Sequence, residues 1–251
     1  MTDAAPASQK VMLIAGGSGS IGAAVAREAQ AQGWAVVIHG RSADRVFALV
    51  AHLREHGPAE PVVLDMAAEE AAPALVAQAA AAFGRIDAVV DCTANGAPGI
   101  TGLFAETDPA SYTPNFHLSA GWFQRLAHAA YPHLKQRGGT LIAFISDAGK
   151  FAAARQSIIG GARAATIGFV RNLAIEAARD AIRVHAVSPS FVAGSASAER
   201  MGSDRMAKAE KRAGLGLPRA EDIAPVTVFL CGDGAAKITG QVISVNGGLN
   251  A

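Results

Sequence analysis

Cysteine is scarce. Only Cys92 and Cys231 occur in 251 residues, far apart and with no CxxC pair. That excludes a disulfide framework and fits a reducing compartment. An excess of one charge is also missing: Lys and Arg total 22, Asp and Glu 21, for a formal net charge of +1. No electrostatic case exists for nucleic acid or an anionic membrane surface as partner. No apolar run reaches the ~18 residues of a membrane span, and the Ala-rich stretch from Ala71 to Phe83 is broken by Pro73 and Gln78. Met1–Gln9 is polar and small and lacks a signal-peptide apolar region. No metal is implied. Hydrophobic residues make up 51% and charged residues 17%, the reverse of a disordered composition. What remains is a cytoplasmic protein with a sizeable core and a small-molecule partner.

Short apolar runs alternate with longer helical stretches. Strands are expected at Lys10–Ala15, Ala35–His39, Pro61–Leu64, Ala88–Asp91, Thr140–Ile145, Ile182–Ser188 and Gln241–Val245. Helices are expected at Ile21–Gln32, Ala43–Glu55, Ala68–Phe83, Ser119–Gln136, Ser157–Ala178 and Ala220–Leu230, several of them stopped by glycine. Single helices between strands imply right-handed crossovers. The fold class is therefore α/β: a Rossmann-like, doubly wound parallel sheet of about seven strands with helices on both faces. No repeat or composition break divides 1–251, so one domain is expected, with 1–9 a flexible N-terminus. Ser190–Leu217, rich in Gly, Ala, Ser and Arg, reads as an irregular helical lid over a substrate, or else as a surface insertion.

Between the first strand and the first helix stands Ala15-Gly16-Gly17-Ser18-Gly19-Ser20-Ile21-Gly22. Free N–H groups and the helix dipole there favour a pyrophosphate, and the glycines let it approach the backbone. Gly16, Ser18, Ser20, Ile21 and Gly22 are the cofactor-binding candidates. Strand two ends His39-Gly40-Arg41-Ser42. A carboxylate in this region would bind ribose hydroxyls, whereas an arginine can take a 2′-phosphate. Arg41 therefore favours NADP(H) over NAD(H), with a solvated surface arginine as the alternative. Asp65 is read either as an acceptor for the adenine amino group or as a plain turn residue.

These residues, with those that follow, resemble the short-chain dehydrogenase/reductase family from Lys10 to Gly248. Its first motif, TGxxxGxG, is matched or nearly matched at Ala15, Gly16, Ile21 and Gly22, with Ser20 at the middle glycine. Its NNAG motif falls on Asp91-Cys92-Thr93-Ala94, which implies that Ala94 lies along the cofactor. Pro189 and Val192 in Ser188-Pro189-Ser190-Phe191-Val192 match a turn that meets the nicotinamide carboxamide in that family. The closing segments, Leu217 to Ile223 and Thr239 to Gly248, are similar to its last helix, strand and turn. In the family this region builds subunit interfaces, so a homodimer or homotetramer is implied.

The resemblance also implies a Ser-Tyr-Lys set backed by an Asn. Ser146 ends strand five and matches the serine. Thirteen residues on, at the tyrosine position, stands Ile159; four further, at the lysine position, stands Arg163. Gly149, Gln156 and Ile167-Gly168-Phe169 fix this register, and the two tyrosines, Tyr112 and Tyr131, lie elsewhere. Isoleucine cannot transfer a proton, and such catalysis contributes about 10²–10⁴-fold. Arginine keeps its charge and can bond ribose hydroxyls, but it does not shuttle protons near neutral pH. Asn115 and His117 are the candidates behind them, Asn115 as the asparagine partner or a turn residue, His117 as a replacement acid or a helix-cap residue. Tyr112 is a further candidate. In the lid, Met201 and Met206 suit an apolar substrate, and Lys208, Lys211 and Arg212 an anionic one, against a plain solvated helix.

Three functions are open on this reading. The first is an NADP(H)-dependent reductase of a small carbonyl or activated enoyl substrate with an altered proton donor. The second is a silent cofactor-binding subunit or oligomer partner. The third is a non-redox elimination or isomerisation enzyme, because Ser146 with Arg163 resembles part of the halohydrin dehalogenase set.

Overall fold

Along β1 (Val11–Ala15) successive side chains enter two different cores. Val11, Leu13 and Ala15 join one cluster, while Met12 and Ile14 join the other. Every residue of the strand is buried, as a strand covered on both faces requires. β1 is central in a seven-stranded sheet of order β3-β2-β1-β4-β5-β6-β7. The other strands are β2 (Ala35–Gly40), β3 (Ala59–Val63), β4 (Ala88–Asp91), β5 (Gly139–Phe144), β6 (Ile182–Pro189) and β7 (Val242–Val245). All pairs are parallel, with Leu13 opposite both Val37 and Val89. The computed structural model describes residues 9–93 and 99–250 as one domain. Of the N-terminal segment 1–9 only Gln9 is described, and its amide donates to the Gly33 carbonyl.

One core carries α1 (Ser20–Ala31), α2 (Ala43–Arg54) and α9 (Ala220–Cys231); the other carries α3 (Ala71–Phe83), α5 (Trp122–Leu134) and α6 (Ser157–Ala177). The first and last helices pack against each other, with Ala24, Val25 and Ala29 in the same core as Ile223, Ala224 and Val228. α9 opens with the Asp222 carboxylate accepting the Arg219 N–H at 2.8 Å. It closes on Arg183 of β6, whose guanidinium donates to the carbonyls of Leu230, Cys231, Gly232 and Ala235. Those of Leu230 and Cys231 are carbonyls that a helix end leaves without partners. Asp87 does similar work at β4: it binds Arg85 at 2.6 and 2.8 Å and accepts the Val11 N–H at 2.8 Å.

α6 has a mean hydropathy of 1.2 over its most apolar window, long and apolar enough to cross a membrane by composition alone. Here it lies on the sheet through Ala162, Ile167, Val170, Ala174 and Ala177. Its outer face leaves Ile175 81% exposed.

Two expectations need correction. The fourth crossover helix begins at Tyr112, not Ser119. It runs as α4 (Tyr112–Phe116), a π-turn at His117–Gly121, and α5. Pro114 sits in the first turn, where its missing N–H costs nothing, and the Ser119 hydroxyl donates to the Asn115 carbonyl at 2.6 Å. α5 includes Pro132 and ends at Leu134 rather than Gln136. The segment 190–217 is more regular than expected, with α7 (Ala196–Met201) and α8 (Ser203–Arg212).

Candidate functional site

The sheet order reverses between β1 and β4, and ligands of such sheets bind beyond the carboxyl ends at that point. Ala15 and Asp91 are paired there. Gly16 has φ +72°, and a β-carbon on it would stand 2.9 Å from the Cys92 carbonyl and the Thr93 nitrogen. A β-carbon on Gly22 would meet the Gly16 oxygen at 2.5 Å. The turn is thus pressed against β4 below and against α1 ahead, and glycine is required at both positions. Gly19 caps α1 without a side-chain bond, and no acidic residue occupies the first turn. The N–H groups of Ser20, Ile21 and Gly22 are left for an anion. Ser20 is exposed, and Ser18 and Ile21 are half-buried. The residues present therefore fit a nucleotide pyrophosphate.

His39, not singled out from the sequence, holds this turn. Its Nδ1 accepts the Gly16 N–H at 3.2 Å, which leaves Nε2 to donate to the Leu64 carbonyl at 3.2 Å. The ring is buried, 6.3 Å from that of Trp122. Burial pushes its pKa down, with the Leu64 bond opposing. The sequence signal was a polar residue at the end of an otherwise apolar strand.

At the adenosine end, Arg41 is exposed. Arg45, also unforeseen, donates to the Ser18 carbonyl at 2.6 Å. A β-carbon on Gly40 would stand 2.4 Å from the Ser18 hydroxyl and 2.8 Å from Val46, so any side chain there would have to displace Ser18 and Val46. Asp65 is exposed and accepts the Ala67 N–H at 3.0 Å, a turn contact. Ala94 lies outside the described residues.

The second half of the site forms where α6 meets the turn after β5. Ser146 caps that turn, its Oγ accepting the Ala148 N–H at 3.3 Å. A β-carbon on Gly149 would lie 2.6 Å from Arg163 Cβ, and one on Gly160 2.7 Å from the Ala148 carbonyl. These close approaches bring the Ser146 turn against the α6 segment that carries Ile159 and Arg163. Both of those residues are half-buried. Arg163 Nη1 donates to the Phe144 carbonyl at 3.3 Å. Burial lowers its pKa, and the negative charge of Asp91 works against that.

Asp91 is buried, and burial raises its pKa. It accepts from the Thr93 hydroxyl at 2.7 Å, the Thr93 N–H at 3.1 Å and the Trp122 indole at 3.2 Å. Beside it, burial first and then the Asp91 charge push the Cys92 thiol well up, so Cys92 is not a thiolate nucleophile.

The remaining candidates divide. Asn115 is buried at the head of the π-turn. His117 is exposed, with Nδ1 3.3 Å from Arg125 Nη1; its recorded partner is a surface arginine rather than any group around Ser146. Tyr112 shares a 2.6 Å hydrogen bond with Thr107 and stacks on Phe104. Pro189 ends β6 opposite Val245, and Val192 is buried. Lys208, Lys211 and Arg212 are exposed on α8, and Met206 is half-buried; the Met201 side chain lies outside the described residues. A cavity of about 410 Å³ opens at the other end of the sheet, beside Lys10, Asp87, Arg183 and Lys237. It faces the amino ends of the strands, away from the glycine turn.

Comparisons with known proteins agree with this fold. A family model described as enoyl-(acyl carrier protein) reductase matches residues 15–250. The chain is 32% identical over 258 residues to the short-chain reductase protein NovJ of Streptomyces niveus, covering 98% of this chain and 96% of NovJ. It is 28% identical to the 3-oxoacyl-[acyl-carrier-protein] reductase FabG of Haemophilus influenzae, covering 96% and 98%. A 7α-hydroxysteroid dehydrogenase solved with NADH and a 7-oxo bile acid shares the fold at a TM-score of 0.88 and 24% identity, over 95% of this chain and 93% of that one. The glycine turn, the Ser146 turn and the closing segment all fall inside residues 15–250 that the family model matches, and the chain belongs to the short-chain dehydrogenase/reductase family.

Proposed function

We propose that the chain binds NADP(H) and reduces a small carbonyl or activated enoyl substrate without a tyrosine acid. The observation that carries this is the uncapped α1 N-terminus behind close-packed Gly16 and Gly22; the Arg163 charge acts on Asp91, the β4 residue paired with Ala15 just before that turn. Gly16, Ser18, Ser20, Ile21 and Gly22 would hold the pyrophosphate. Arg41 and Arg45 supply two cations where a 2′-phosphate would lie, and the tight packing at Gly40 disfavours a ribose-binding carboxylate. Pro189 and Val192 would flank the nicotinamide, and the Arg163 guanidinium would bond the ribose hydroxyls. When bound, the nicotinamide supplies hydride chemistry.

The chain's own part is binding and orientation. The Ser146 hydroxyl can donate to a substrate carbonyl oxygen, since its recorded bond uses only its acceptor side. Ile159 presents an apolar wall there and excludes water without moving a proton. The proton reaches the product from solvent or through Ser146. An enoyl group conjugated to a carbonyl suits this arrangement better than a simple ketone, because its enolate can be protonated after the carbon has reacted. The relatives' names, reductases of acyl substrates among them, support this class.

The same substitution favours a second reading, a silent cofactor-binding subunit that pairs with an active homologue. The exposed outer face of α6, with Ile175, suits subunit contact in either case, as a homodimer or homotetramer. A reducing cytoplasmic location suits the free thiols Cys92 and Cys231. The test is a fluorescence titration with NADPH and with NADH, then a panel of ketones and enoyl thioesters in the same cuvette. Tight NADPH binding with enoyl turnover is expected. Binding without turnover would transfer support to the silent subunit, and absence of binding by either nucleotide would overturn both.

A further inference from the structure

Asp147 follows Ser146 directly and is buried, yet it is no part of the chemistry described above. Its carboxylate has no cation partner among the described residues. It accepts instead from three side chains: Ser188 Oγ at 2.7 Å on Oδ1, and Asn246 Nδ2 at 2.7 Å and Asn250 Nδ2 at 3.0 Å on Oδ2. Ser188 is the second-last residue of β6, just before Pro189 and the turn to Val192. Asn246 and Asn250 bracket the C-terminal tail. A buried carboxylate is tolerated only when such bonds replace its hydration, so the three donors are fixed in position as firmly as the charge itself.

The tail is tight. Asn246 also donates to the Asn250 carbonyl at 2.7 Å, and its Oδ1 accepts the Gly248 N–H at 3.1 Å. Between the two asparagines Leu249 projects into a small separate core. That core consists of Leu249 with Ala209 and Ala213 from the end of α8, bordered by Phe191 and Leu217. The backbone adds a link, Leu215 N–H to the Gly247 carbonyl at 3.0 Å. The segment 190–217 thus has its own core, and one residue of that core belongs to the tail bound by Asp147.

We propose that Asp147 is a positioning residue that fastens the lid segment 190–217 to the Ser146 turn through the C-terminal tail. The carboxylate holds Asn246 and Asn250, these set Leu249, and Leu249 seats α8. Closure of the lid and placement of the serine hydroxyl are then one event rather than two. The inference rests on the proposed site in taking Ser146 and 190–217 as its serine and its lid, but its test does not need turnover.

The test is hydrogen–deuterium exchange on the full chain, comparing wild type with Asp147→Asn, Leu249→Ala and the double variant. Each single change is expected to speed exchange in 196–213 by about tenfold, the scale of one lost buried hydrogen bond. Exchange in α1 and α2 should be unchanged. The double variant should be no faster than the faster single one, since both cut the same chain of contacts. Uniformly faster exchange everywhere, or unchanged exchange in 196–213, would overturn the proposal. If Asp147→Asn does not fold, Asn250→Ala removes one donor and keeps the acid; it should loosen 196–213 by a few-fold, and no change there counts against the idea. NADPH should protect 196–213 in the wild type and fail to do so in Asp147→Asn, a difference a purely structural role would not give. Failure of NADPH to bind any sample would defeat the proposed function while leaving the nucleotide-free exchange comparison standing.

Discussion

The Gly16 N–H donates to Nδ1 of His39 across 3.2 Å, so the end of the second strand sets the shape of the turn after the first. The bond exists only while that nitrogen carries no proton. Replacing His39 with leucine leaves the Gly16 N–H without its acceptor, which costs roughly 1–3 kcal/mol. NADPH affinity should fall about tenfold by titration. Acidification should act in the same direction. Because burial lowers the His39 pKa, the loss should set in below the usual imidazole range, and the leucine variant should not show it.

Arg41 and Arg45 predict cofactor choice. Arg41→Ala with Arg45→Ala should weaken NADPH by about tenfold or more, the scale of a charge-assisted bond. NADH binding should change little. Parallel titrations check this, and equal losses for both nucleotides would count against a 2′-phosphate site.

Restoring a proton donor should raise turnover. Ile159→Tyr with Arg163→Lys places a phenol and an ammonium one helical turn apart near Ser146. Steady-state rates with a ketone substrate should rise about 10²-fold or more. Arg163→Met alone should weaken NADPH and leave Asp91 without the opposing charge that it now faces.

His185 predicts acid sensitivity. It is fully buried on β6, and neither ring nitrogen has a hydrogen-bond partner among the described residues. Burial and the Arg183 charge bring its pKa down to about 4; a weak opposing influence of the Ile238 backbone falls short of hydrogen-bond geometry. The unfolded chain takes up this proton below about 6.5, whereas the native chain resists it. Stability is therefore full above pH 6.5 and declines as pH falls toward 4, by at most about 3 kcal/mol. Urea unfolding at pH 7 and pH 5 should show the loss, and His185→Leu should reduce it.

Much of the fold was legible because strands covered on both faces read as continuous apolar runs, Val11–Ala15 and Ala35–Ile38 among them, and glycines marked their ends. The glycine turn and the Ser146, Ile159, Arg163 register followed from spacing. His39, Arg45 and Asp147 were not legible. Each acts through a contact far along the chain, 23 residues from Gly16, 27 from Ser18 and 99 from Asn246, and no local periodicity carries such a pairing. The start of the fourth helix was missed because Pro114 looks like a break unless it is known to lie in a first turn. The Tyr112 and His117 candidates had the right chemistry, but Thr107 and Arg125 engage them.

The packing of α1 against α9 has a consequence for how the protein is made. The helix behind the glycine turn leans on one that is translated much later, α9 at Ala220–Cys231. While the ribosome still holds residues 220–231, the inner face of α1 at Ala24, Val25 and Ala29 lacks the part of its cover that α9 supplies, and domains tend to fold as units once their chain emerges. Nascent chains stalled before Ala220 should remain protease-sensitive near the amino terminus, whatever nucleotide is supplied.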